Sequence, residues 1–268
     1  MTERTIPVDV IGPIALDLTM NTGSIRVIVD TTLKQAHMVL TTEATSGLSA
    51  DAIRDTTVSL NGQNLRVRVP DLAGGMSGTT TVSRGGYTMT FSGGNGVQIV
   101  NGNVHINGGG KVFINGREVT ATGPAGDAVT PISAVVHLPA KSVAAISTHT
   151  ANTVVTGVLA RLEYDGTSGM LTADRVGDLE ATVTSGSVIV GEVNGPLDIS
   201  LTSGSVNVGA YSGHHARLNV TSGSVRMAAT AQSSGRLSVN ATSGSVRVTG
   251  AGHLNVRRRV TSGHVQIS

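Results

Sequence analysis

The stretch TSGSVIVGEVNGPLDISLTSGSVNVGAYSG, Thr184 to Gly213, says the same phrase twice. A Thr-Ser-Gly turn is followed by a small polar residue, then by apolar, polar and apolar residues in alternation. Such alternation is the mark of a strand with one buried face. Working outward, TSG recurs at 167–169, 184–186, 202–204, 221–223, 242–244 and 261–263, so successive glycines lie 17, 18, 19, 21 and 19 residues apart. The turn Thr150-Ala151-Asn152 reads as one earlier copy with Asn152 in the glycine place, because Asn is the next residue after Gly to accept a left-handed backbone.

The residues around the turns are ordered as well. The first apolar place after the turn holds Leu171, Val188, Val206, Val225, Val246 and Val265, and the second holds Ala173, Val190, Val208, Met227, Val248 and Ile267. Before each turn a second strand shows the same habit, with Leu179 and Ala181, Leu197 and Ile199, Leu218 and Val220, Leu237 and Val239, and Leu254 and Val256. A fixed period of this length signals stacked repeats. About 19 residues leave no room for helices of the usual 10–14 residues. The pattern therefore predicts an all-β, single-stranded β-solenoid, parallel β-helix-like, with 17–21 residues per coil. The competing arrangement, a sandwich of meandering hairpins, has no need of one turn repeated at near-constant spacing. Arg257, Arg258 and Arg259 read as a bulge between strand and turn.

Three regions follow. Residues 1–70 read as irregular N-terminal coils: Leu16 and Leu18 precede Asn21-Thr22-Gly23, and Ile25-Arg26-Val27 follows. Ser49 to Asp55 fits a short helical turn, and Asn61-Gly62 either a tight hairpin or a coil corner. Residues 71–130, with repeated Gly-Gly and Asn-Gly pairs, read as a Gly-rich inserted flap of very short strands packed beside the solenoid or over a neighbouring subunit; a structureless glycine loop is the alternative. Residues 131–268 are the regular TSG-repeat solenoid.

The 268 residues include 35 Gly but no Cys, no Trp, three Tyr and two Phe, so the core is thin and built from small and branched side chains. The absence of Cys excludes disulfides, thiolate metal sites and a cysteine nucleophile. A net charge of +2 is a weak argument for nucleic acid. Glu3, Asp9 and Asp17 interrupt the N-terminal apolar stretch, so neither a signal peptide nor a transmembrane segment is expected, and the expected location is cytoplasmic.

At this point the chain resembles the bacterial "putative adhesin" family of β-strand-repeat domains. The resemblance rests on HLPAKSVAAISTHTANTVVTG at 137–157 and on the units from Thr184, a strand ending in Leu-Pro-Ala followed by strand–TSG–strand repeats. It spans roughly residues 7–30 and 132–268. It implies a solenoid and carries no catalytic residues. Bactofilins, solenoids that polymerise through their ends, are similar at a greater distance in coil size.

No constellation for catalysis, cofactor or metal emerges. His214-His215 places its side chains on opposite faces of a strand. Glu163, Glu180 and Asp198 take equivalent outward places in successive coils, followed by Asn219, Ser238 and Asn255, and two carboxylates one coil apart would suit glycoside chemistry. Only Tyr164 and Tyr211 stand near as sugar platforms, so an enzyme is not expected. Arg226 and Arg247, with Arg257, Arg258 and Arg259 close behind, form a basic strip suited to a protein or an anionic polymer rather than to specific nucleic-acid reading. The last strand, Val265-Gln266-Ile267, has no cap after it and is the expected assembly edge. The functional expectation is a non-enzymatic scaffold that self-associates through its terminal coils, as a dimer or filament. The alternative is an adhesin-like module that binds a polymer or protein on its lateral face.

Overall fold

A computed structural model describes residues 1–72 and 130–268 in full and, within 73–129, the backbone of six strands. The protein is a β-solenoid. Each coil passes from a strand that enters the TSG turn to a strand that leaves it, and equivalent strands stack in parallel into two long sheets. The exit sheet runs through Ser24–Asp30, the start of Asn152–Gly166, the start of Met170–Val183, then Ser187–Val193, Ser205–Tyr211, Ser224–Ala229, Ser245–Thr249 and His264–Ile267. The entry sheet runs through Ala15–Thr19, Val143–Thr148, the ends of those two long strands, then Leu197–Leu201, His215–Val220, Arg236–Ala241 and Asn255–Val260.

The TSG turn continues the ladder around the corner. The Ser185 N–H donates to the Thr167 carbonyl at 2.7 Å, and the pairs Ser203–Thr184, Ser222–Thr202, Ser243–Thr221 and Ser262–Thr242 repeat that length. These corner amides are thereby paired, as a stacked backbone requires. The turn glycines answer a different demand from the one the sequence suggested. Among them only Gly23 has a positive φ, of 109°. A Cβ on Gly186 would run into the carbonyl oxygen of Gly169, and one on Gly204 into that of Gly186. Close stacking of backbone on backbone excludes the side chain. For the same reason the early copy of the turn is real but one residue displaced: Ala151, not Asn152, lies beneath Gly169.

Inward rows carry one continuous core. Val188, Val206, Val225 and Val246 stack in register, as do Val190, Val208, Met227 and Val248, and all are at most 3% exposed. Burial of each such side chain is worth about 1.5–3 kcal/mol against exposure. Tyr164 and Tyr211 are buried in the same core, and the Tyr164 hydroxyl has no hydrogen-bond partner among the described residues.

The first coil is interleaved with later chain. Ala15–Thr19 lies between Asn64–Arg68 and Val143–Thr148, and Ser24–Asp30 lies between Ser133–Pro139 and the start of Asn152–Gly166. Ile132 stands where other coils have the glycine of their TSG turn: the Ser24 N–H donates to the Ile132 carbonyl, as Ser187 does to Gly169. Strands Thr79–Arg84, Tyr87–Ser92, Lys111–Ile114 and Arg117–Val119 pair with one another, and Val97–Val100 pairs with Asn103–Ile106. Where the flap packs lies outside the described residues.

Beyond this coil the N-terminal end changes style. Thr2–Ile11 pairs antiparallel with Gln35–Thr42, which pairs antiparallel with Ser133–Pro139. Asn61-Gly62 makes a hairpin, joining Thr57–Asn61 to Asn64–Arg68. The expected helical turn is the helix Leu48–Arg54, whose Ala50, Ala52 and Ile53 are buried. Arg4 fastens its C-terminus, its Nη1 donating to the carbonyls of Ile53, Arg54 and Thr56 at 3.2, 2.8 and 2.7 Å. No described helix is long and apolar enough to cross a membrane.

Candidate functional site

Among the described residues, the outward rows of the two sheets are the extended surfaces that repeat from coil to coil. On the exit sheet Ser187, Ser205, Ser224, Ser245 and His264 form one row, and Asn207, Arg226, Arg247 and Gln266 lie in the next. Arg226 and Arg247 are direct ladder neighbours, as expected. With Ser224, Ser245 and His264 they line a small open cleft of about 110 Å³. Like charges paired across strands repel.

The entry sheet differs from the expectation in two ways. Its central outward row reads Glu163, Glu180, Asp198, Arg217, Ser238, Arg257. The three carboxylates do stack, and Ser238 follows as expected, but Arg217 and Arg257 occupy the places assigned to Asn219 and Asn255. Leu218 likewise pairs with Val239, two residues from the register read in the sequence. Arg257–Arg259 are not a bulge either. They lie within Asn255–Val260 and pair in unbroken register with Ser238–Asn240. The extra residues of that coil fall earlier, around Gly250–His253. The basic residues therefore make no single strip: Arg226 and Arg247 are on one sheet and Arg257 and Arg259 on the other, while Arg258 takes an inward row behind Val239, Leu218 and Ile199.

Two of the three carboxylates have an ion-pair partner. Arg161 Nη2 is 2.9 Å from Glu180 Oε2, and Arg217 Nη1 is 3.5 Å from Asp198 Oδ2. Partial burial raises the Asp198 carboxyl above the usual range; Arg217 and His215 oppose this, and Glu180 adds to it. Neither Tyr164 nor Tyr211 is a sugar platform for the stacked carboxylates, because both are buried, which pushes their hydroxyls up to about 12. Among the described residues no group of three or more His, Cys, Asp or Glu is placed to hold a metal ion.

One signal was present in the sequence and missed. From Ile199 onward the last 70 residues hold seven of the 19 Lys and Arg but none of the 17 Asp and Glu. The rest of the chain carries 12 basic against 17 acidic residues. Of those seven arginines only Arg217 has a carboxylate partner among the described residues. The rod is thus electrically segregated: acidic in its middle coils, cationic on both sheets of its last three. A second cleft, about 420 Å³, lies among Arg217, Arg257, Arg259 and the polar residues between them.

At the expected assembly edge, Val265 and Ile267 are half-buried and Gln266 is exposed. Val256 and Val260, inward residues of the same coil, are 36% and 38% exposed.

Among solved structures the chain is similar to a "putative adhesin" from Bacteroides fragilis NCTC 9343, at 12% identity and a TM-score of 0.51, covering 100% of this chain and 97% of that one. A "putative lipid binding protein" from Parabacteroides distasonis ATCC 8503 gives 12% identity and a TM-score of 0.44, with coverage of 100% and 97%. A "putative adhesin" from Parabacteroides merdae ATCC 43184 gives 12% and 0.44, with coverage of 100% and 95%. No curated protein matches the chain. The family model Toastrack DUF4097 matches residues 21–268, nearly the whole solenoid, and the chain belongs to that family.

Proposed function

We propose that the protein is a non-catalytic, adhesin-like binding module that receives an anionic polymer on the exit sheet of its last coils. The observation that carries this reading is the Arg226–Arg247 ladder. Two guanidinium groups stand one coil apart, about 4.8 Å, on a stretch of chain without a single Asp or Glu. An anion set between them relieves their repulsion and takes hydrogen bonds from both forks. Ser224, Ser245 and His264 add neutral donors beside them. A polymer supplies such groups at intervals along the rod axis, which suits a ladder better than a pocket. The absence of exposed Phe, Tyr or Trp on these coils favours recognition by charge over base stacking.

The test is binding of dextran sulfate, with uncharged dextran as control, over a salt series. Wild-type protein binds the sulfated polymer and loses it as salt rises. Arg226→Gln with Arg247→Gln weakens binding about tenfold, the order expected for two exposed charge contacts of about 0.7 kcal/mol each. Equal binding by this variant, or equal binding of both dextrans, overturns the reading.

The exposure of Val256 and Val260 favours a second reading, assembly by strand addition at Val265, Gln266 and Ile267. Arg258 in the adjoining inward row opposes a second copy at that edge, since pairing there would bury it. End-to-end rods of wild-type protein in electron micrographs would restore assembly to first place.

A further inference from the structure

We infer that two copies of this chain pair through their entry sheets, face to face with the rods antiparallel, in one register set by charge. This uses the opposite sheet from the anion ladder and does not depend on it.

The argument lies in the order of outward residues along six successive coils, from Arg161–Asp165 to Asn255–Arg259. The first three coils carry Glu163, Asp165, Asp178, Glu180 and Asp198 with one cation, Arg161, which this arrangement sets against Asn255; the last three carry Arg217, Arg236, Arg257 and Arg259 and no carboxylate. A two-fold axis along the strand direction, midway between the Asp198 and Arg217 strands, reverses coil order and leaves each row facing itself. Closed two-fold pairing of a surface with itself is the commonest symmetry of homodimers. It sets Glu163 against the second copy's Arg257, Asp165 against Arg259, Asp178 against Arg236, and Asp198 against Arg217. The symmetry repeats each pair, and no like charges meet.

Neighbouring registers fail this test. With the axis on the Asp198 strand, Asp198 faces its own copy and Arg161 faces Arg236. With the axis on the Arg217 strand, Arg217 faces itself. A shift of one whole coil toward the C-terminus loses the partners of Glu163, Asp165 and Asp178. Like charges brought together in this way discriminate between arrangements more strongly than unlike charges add affinity.

Six coils at about 4.8 Å and three outward rows at about 6.8 Å give a face of roughly 30 by 20 Å with its side chains, or roughly 1,200 Å² for the pair. That lies at the small end of specific interfaces. With so many charged residues, the dimer is weak and sensitive to salt.

The test is sedimentation equilibrium of the full chain at low and high salt, with two charge-reversed variants and their mixture. Wild-type protein is dimeric at about 50 mM salt and monomeric at about 0.5 M, where the screening length falls several-fold. Arg257→Glu with Arg259→Glu is monomeric at low salt, and so is Glu163→Arg with Asp165→Arg. Their equimolar mixture regains the dimer, since every reversed pair is again complementary; this also shows that both variants are folded. Arg226→Gln with Arg247→Gln dimerises like wild type. A wild-type monomer at low salt, a dimer of either charge-reversed variant alone, or a mixture that stays monomeric overturns the inference.

Discussion

The two ends of the rod solve the same problem by different physics. Every coil exposes its inward rows to the next, so the outermost coils must be covered or made unattractive. At the N-terminal end the cover is packing. The helix Leu48–Arg54 drives Ile53 into the core, antiparallel strands replace parallel ones, and Arg4 binds three carbonyls at the helix end. At the C-terminal end the inward rows run on to Val256 and Val260, which keep more than a third of their surface, and between them stands Arg258. A charge in an inward row leaves this coil chemically unlike the valine rows before it, and burying that charge under a further coil would be costly.

This contrast can be broken most directly with Ile53→Ala and Val260→Ala compared in urea unfolding. The first empties a fully buried site and costs about 3 kcal/mol. The second, at a partly exposed site, costs under about 1 kcal/mol. Equal losses would mean that the helix is an ornament and not a plug.

Acid should separate the ends less strongly. His137, on the strand beside Gln35–Thr42, stacks on His37 with ring centroids 4.5 Å apart. Burial first, and then His37, hold its imidazole below the usual value of 6.5, with Asp30 pulling the other way. The neutral ring is thus preferred in the folded state. Its contribution is present above the ordinary histidine pKa and is lost as pH falls through it, because the unfolded chain then binds the extra proton. Amide exchange, corrected for its intrinsic pH dependence, should speed up more in 35–42 and 133–139 than in 255–267 between pH 7.5 and 5. In His137→Gln that excess should vanish.

The smallest change in stability belongs to Arg258→Val, within about 1 kcal/mol of wild type. Its effect is on association: with the guardian charge gone, the inward row from Val256 to Val260 becomes an unbroken apolar edge, and light scattering should rise with concentration. Unchanged scattering would show that the arginine does not protect the edge.

Much of the fold was legible because a solenoid repeats its physics. The six TSG turns and the stacked Val rows each satisfy one local rule many times, so single exceptions do not hide the period. The Glu163–Glu180–Asp198 and Arg226–Arg247 ladders were found by the same counting. Counting failed in two coils of 19 residues, while the 21-residue coil between them was read in register. In the last coil Leu254 and Val256 read as the inward pair and the arginines as a bulge, whereas the connection falls at Gly250–His253 and Val256 and Arg258 take the inward places. The segregation of charge needed no structure to be seen, only attention to where carboxylates stop.

Sequence alone thus determined the parallel coils, their turn and their valine core, because these follow from local alternation and a repeated spacing. Tertiary structure alone decided that the first coil lies between later ones, that Arg217 and Arg257 continue the carboxylate row, and that Arg258 takes an inward place. These depend on which strands become neighbours, and a shift of two residues in that pairing changes every partner while leaving the local pattern of apolar and polar residues the same.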